Sequence, residues 1–175
     1  VPVSGEGTEY NSCWTNNDFH EQVLCRRLHE FGWFPTVFRA GGHIQSLDQS
    51  NWLEMFIPFD FSRSDYFSPE RTFGDWRGAP DNWDGYHPDF YDNRKKGNMR
   101  RKIFRCVEIN NGRKKLEAKE IISAFEQVES GKPAVLAYVN HDRRDILPEV
   151  EYCHDLIMST AKKFPQVKWS YRNAL

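Results

Sequence analysis

A chain of 175 residues is long enough to bury one sizeable core and too short for two ordinary domains. Its formal charge is -1, with 24 basic side chains against 25 acidic ones, so no nucleic-acid partner is indicated. No apolar segment approaches the length of a membrane span and no secretory leader pattern is visible, so no membrane partner is expected.

Residues 1 to 17 are polar, contain glycine and show no period, which predicts a loop. Asp18 is a candidate N-cap, with Glu21 three positions on. The helix predicted from Phe19 to Phe31 places Val23, Leu24, Leu28 and Phe31 on one face, and Gly32 closes it in the C′ position. His20 and His29 read as surface or cap histidines. Phe34 to Gly42, FPTVFRAGG, is a short apolar run delivering Arg39 and two glycines at its carboxyl end. Ser46 then caps a helix running to about Met55, with Leu47, Trp52, Leu53 and Phe56 as its buried side. Ile57 to Phe61 makes another strand with Asp60 near its end, and Pro58 suits a strand start or an edge.

Residues 63–97 have no sustained period but are rich in aromatics set between Gly, Pro, Asp and Asn. Such a load supplies the burial that ordering requires, so an ordered excursion covering the rim of a pocket is expected. The basic run from Lys95 to Lys102 reads as a solvated hairpin or loop. Ile103 to Ile109 alternates like a strand, Asn110 to Gly112 turns, and Leu116 to Gly131 gives a helix with Ile121, Ile122, Phe125 and Val128 on one face. Ala134 to Val139 is an apolar run ending in the polar cluster Asn140 to Arg144, which predicts a strand buried on both faces. Pro148 opens a last helix in which Val150, Cys153, Leu156, Ile157 and Ala161 recur at helical spacing, and Val167 to Tyr171 is a closing strand. This order of elements is that of a single-domain α/β fold with mostly parallel strands.

In such folds ligands sit beyond the carboxyl ends of the strands. There the sequence places His141, flanked by Asp142, as a candidate general acid or base. There too lies Arg39, whose guanidinium can hold a carboxylate in a fixed fork, beside glycines that let the backbone approach closely. Asp60 and the aromatic cover belong to the same rim. Flat rings in such places wall sugar sites. The four cysteines share no metal spacing, and three of them, in predicted helix or strand, read as small buried hydrophobes. That usage leans toward a reducing, cytoplasmic compartment.

FRAGG (Phe38 to Gly42), FDFS (Phe59 to Ser62) and VLAYVNHD (Val135 to Asp142) together resemble the polysaccharide deacetylase, or NodB-homology, superfamily. The likeness is to bacterial members of uncertain substrate and covers the chain from about Phe19 onward. The resemblance implies a distorted or incomplete (β/α) barrel and a hydrolase that removes acetyl groups from a glycan or amino sugar. It implies Arg39 as the residue bracing a base and His141 as the general acid, with Asp60 at a strand-end position whose role is open. Trp83, Tyr86 and His87 sit where the family builds part of its groove, with Asp142 beside them as a further substrate contact.

The family uses a divalent metal, with zinc the expected ion, held by one Asp and two His on early elements. The corresponding residues do not occur before Asp18, so no metal ligand is assigned to these residues. The chain is expected to be the carboxy-terminal two-thirds of the barrel, with the metal belonging to the full-length protein. The alternative is a non-catalytic carbohydrate-binding or regulatory domain that keeps the barrel without the metal. A glycoside hydrolase using Asp60 and Asp142 as its carboxylates is a third possibility that nothing in the sequence prefers. The oligomeric state is left open.

Overall fold

A computed structural model of the protein describes residues 18–43, 45–64, 76–110, 115–140 and 144–172. The chain divides into two compact units. The first comprises Val1–Pro80 and Tyr86–Ile103 with the last two residues, and the second Asp81–Gly85 and Phe104–Asn173.

The first unit opens with helix α1, Asp18–Phe31, followed by the short strand β1, Val37–Phe38. A 3-10 turn, Gly41–His43, leads to helix α2, Leu47–Phe56, and then strand β2, Phe59–Arg63. Strands β1 and β2 run parallel, with Val37 opposite Phe59 and Phe38 opposite Asp60, so α2 serves as the crossover that parallel neighbours require. The expected cap is present: the Gln49 amide donates to Ser46 Oγ at 3.2 Å. Trp52, Leu53 and Ile57 form the core of this β-α-β unit, with Leu24, Phe38 and Phe56 packed on them. A second cluster, Trp76, Tyr86 and Ile103, anchors the aromatic excursion. Tyr86 and Ile103 exchange backbone hydrogen bonds at 2.9 and 2.8 Å.

Two expectations fail in this unit. Val23, Leu28 and Phe31 are exposed. Helix α1 is held through Leu24 and through Glu21, which accepts from the Trp52 indole at 3.1 Å, rather than along its whole apolar stripe. On α2, Leu47 is exposed while Gln49 and Ser50 are buried, because a polar cluster described below takes up their side of the helix.

The second unit has the same grammar. Strand β3, Lys102–Glu108, begins in the first unit and continues here. It pairs in parallel with β4, Ala137–Val139, through the crossover helix α3, Ala118–Glu129. Helix α3 starts in a capping box between Glu117 and Glu120 and stops at Gly131, whose φ of 86° few other residues tolerate. Helix α4, Leu147–Ala161, has Pro148 in its first turn and packs against α3. Ile121, Ala124, Phe125, Cys153, Ile157 and Val107 make the centre of the core.

Strand β3 does not alternate, since Ile103, Phe104, Cys106 and Val107 are all buried. That is the signature of a parallel strand covered on both faces. Strand β4 reverses its expectation: it is three residues long and only half-buried, with Val135 before it exposed, because β3 is its one partner among the described strands. Val167 to Tyr171 forms no strand and runs past α4, where the Tyr171 hydroxyl meets His154. Cys106 and Cys153 are buried as expected, Cys25 is exposed on α1, and Cys13 lies outside the described residues. No helix among the described residues is long and apolar enough to cross a membrane.

Candidate functional site

Parallel pairing lays the carboxyl end of β1 against β2, and the residues following β1 are tied to side chains and carbonyls of β2. The Ala40 amide donates to Ser62 Oγ at 2.8 Å, and the Ser62 amide donates to Asp60 Oδ1 at 2.8 Å. The His43 imidazole meets the Ser62 carbonyl at 3.1 Å through Nδ1, so that nitrogen carries the proton. His43 is buried at a φ of 59°, left-handed backbone that a non-glycine residue holds only when its surroundings fix it. Those surroundings include the Trp76 indole, which donates to the His43 carbonyl at 3.0 Å.

Asp60 is 0% exposed. Its Oδ2 accepts from Gln45 Nε2 at 2.6 Å and forms an ion pair with the buried Arg101 guanidinium. Arg101 also donates to Ser50 Oγ, and its backbone amide donates to Glu54 at 2.9 Å. The cluster extends outward: Asn93 donates to Gln45 Oε1 at 3.2 Å, and the Tyr86 hydroxyl donates to the Asn93 carbonyl at 2.7 Å. Burial pushes the Tyr86 hydroxyl well above its ordinary range, so it stays a neutral donor. This cluster fastens the excursion to the strand ends.

The residues singled out by sequence are therefore put to different uses. Arg39 is exposed just past β1, with its guanidinium donating to the carbonyl of Ala40 at 3.3 Å. Asp60 is enclosed, its carboxylate accepting from three donors, Gln45, the Ser62 amide and Arg101. Trp83 and Tyr86 are each 3% exposed, so their ring faces are spent on the protein's own packing rather than shown to a sugar. Trp83 belongs to the second unit, where Arg105 stacks 4.0 Å over its ring and its indole donates to Ser123 at 2.9 Å. His87 is exposed, with Nδ1 held by the carbonyls of Met99 at 2.9 Å and Arg101 at 3.2 Å. His141 and Asp142 lie outside the described residues.

Arg101 is the residue that sequence reasoning missed, because it sits inside what reads as a solvated basic run. No local pattern marks it, since its carboxylate partner is 41 positions away. His43 was also missed, as the residue after a Gly-Gly pair.

The second unit has a cavity of about 640 Å³ beside α4, β4 and the segment ending in Tyr171. Cys153 faces it, and burial pushes its thiol up to about 11, so at neutral pH it is protonated and a poor nucleophile. A thiol raised from its ordinary value near 9 contributes stability that is complete below pH 9 and is lost as pH rises toward 11. The expected loss is about 2–3 kcal/mol, at 1.36 kcal/mol per pK unit. Denaturant melts between pH 8 and 11 should show it, and Cys153→Ala should delay the decline until the buried Tyr138 and Tyr86 hydroxyls, also raised by burial, begin to titrate. An unchanged decline in the variant would contradict the assignment.

Among the described residues no three side chains of the ligating kinds converge as a metal site needs. They do not fit the divalent ion implied by the resemblance. Comparison with known protein families, curated proteins and solved structures finds no match.

Proposed function

We propose that the protein is a hydrolase that removes acetyl groups from a glycan or amino sugar, built on a distorted (β/α) barrel of the polysaccharide deacetylase type. One observation carries the reading: FRAGG leaves the carboxyl end of β1, FDFS forms most of the neighbouring parallel strand β2, and the two are joined by the Ala40–Ser62 hydrogen bond. Motifs remote in sequence are thus neighbours at the kind of rim where α/β folds bind ligands. Arg39, exposed on that rim, is suited to gripping a carboxylate. His141, two residues past the end of β4, is the general acid of the proposal, delivering a proton to the departing amine or alcohol. A divalent ion, zinc, belongs to the proposal for the whole protein, with ligands outside the set described here.

The test is acetate release from an N-acetylated amino-sugar oligomer by the full-length protein supplied with zinc, alongside its metal content. His141→Ala should retain the metal and lose about 10²- to 10⁴-fold in turnover, the usual contribution of a general acid. Absence of acetate release with zinc, cobalt or manganese would sink the hydrolase reading. The second reading, carbohydrate binding without catalysis, draws on the exposed Phe90–Tyr91 edge-to-face pair in the excursion. Saturable sugar binding with no acetate released would select it.

A further inference from the structure

The cavity of the second unit has a floor, a wall and a rim of different chemistry. Buried Ile109, Cys153 and Ile157 make the floor. Its volume of about 640 Å³ falls within the range of small-molecule sites, roughly 300–1,000 Å³. On one side stands Tyr171, 61% exposed yet held by two neighbours, with the His154 ring near-parallel to its own at 6.1 Å. Its hydroxyl is 2.9 Å from His154 Nδ1, and Trp169 meets its ring edge-on at 5.2 Å. A ring exposed and already positioned loses little freedom when a flat ligand packs on it.

The rim carries Glu151 and Asp155, four positions apart and so on one side of α4. Neither has an ion-pair partner among the described residues, and none of the described residues lining the cavity is a lysine or arginine. Such a rim repels anions and attracts cations, while a neutral ring gains only the stacking.

The geometry points to this cavity as a subsite for an amino sugar bearing a free amine, its ring packed on Tyr171 and its ammonium held by Glu151 and Asp155. It takes the sugar class from the proposed function and adds a preference for deacetylated over acetylated units. On that reading it retains the product end of a chain while acetylated units are processed elsewhere. Charge decides between this and an acidic sugar, which the same carboxylates would exclude.

The probes are glucosamine tetramer and its fully N-acetylated counterpart, each titrated calorimetrically into the intact protein. The free-amine oligomer should bind about tenfold or more tightly than the acetylated one, a difference that shrinks with salt. Tyr171→Ala should weaken both oligomers by about tenfold, a modest share of a ring contact's worth. The pair Glu151→Gln and Asp155→Asn should erase the preference while leaving the acetylated oligomer's affinity unchanged. All these positions are exposed, so melting temperatures should hold and report that the variants are folded. Equal affinity for the two oligomers, or a Tyr171→Ala protein that binds as before, overturns the subsite. So does a cavity closed by self-association, seen as a concentration-dependent mass with no saturable sugar response. Acetate release measured in parallel separates the two readings: binding without acetate keeps the subsite and removes the hydrolase, whereas acetate release with no free-amine preference does the reverse.

Discussion

Arg101→Leu is expected to destabilise the first unit by about 3–5 kcal/mol, the cost of removing one partner from a buried ion pair. The guanidinium and the Asp60 carboxylate both have side chains entirely shielded from solvent, so the substitution strands a charge that water cannot reach. Asp60 would keep Gln45 and the Ser62 amide as donors, which softens the loss without neutralising the charge. Leucine also leaves Ser50 without its donor from Arg101. With a urea slope of about 2 kcal/mol per molar, the midpoint should fall by about 2 M. Added salt should not restore it, because screening acts on exposed charges. Replacing the pair together, Asp60→Leu with Arg101→Met, should recover much of the loss, since an apolar pair avoids the desolvation that the ions incur. A single substitution that costs under about 1 kcal/mol, the range of surface bridges, would show that the pair is solvated in solution.

Trp83→Ala is expected to cost the second unit about 3–5 kcal/mol, the range for deleting a large aromatic side chain from a core. Three losses combine: the packing against Val107, Ile121 and Phe125, the indole bond to Ser123, and the cation–π contact with Arg105. Trp83→Phe separates them. It keeps a ring in the core and removes the indole N–H, leaving a cost of about 1–2 kcal/mol for an unmet hydrogen bond. The backbone bonds of Trp83, accepting from Val135 at 2.6 Å and donating to Gln127 at 3.0 Å, survive both substitutions. A purely structural Trp83 also predicts that Trp83→Phe leaves sugar affinity unchanged. A large drop in affinity with an unaltered melting curve would return this residue to the binding surface.

The readings that hold are those whose signals are local. Ser46 caps α2 because a side-chain oxygen three positions before an orphan amide is a short-range arrangement. Gly32 and Gly131 follow helices in left-handed backbone, which a sequence shows directly because so few residues accept it. The parallel order also follows locally, since a strand, a helix and a strand in succession leave few other ways to bury their apolar faces.

The readings that fail depend on what lies across the fold. The stripe on α1 is real, yet a helix cannot record how much of its length a neighbour covers. Val167 to Tyr171 has a strand's composition and pairs with none of the described strands, because a strand exists only where an edge accepts it. Arg101 looks like one more solvated cation until Asp60 and Ser50 close around it.

By itself the sequence determined the α/β class, the helix caps and stops, and the placing of Arg39 just past a strand, all consequences of short-range sterics and periodicity. Only the tertiary structure decided that Asp60 is an anchor, that Trp83 and Tyr86 are core, and that Tyr171 and His154 meet beside a cavity. Those outcomes turn on burial and on partners many positions distant, and a side chain's chemistry is settled by how much water its folded neighbours leave it.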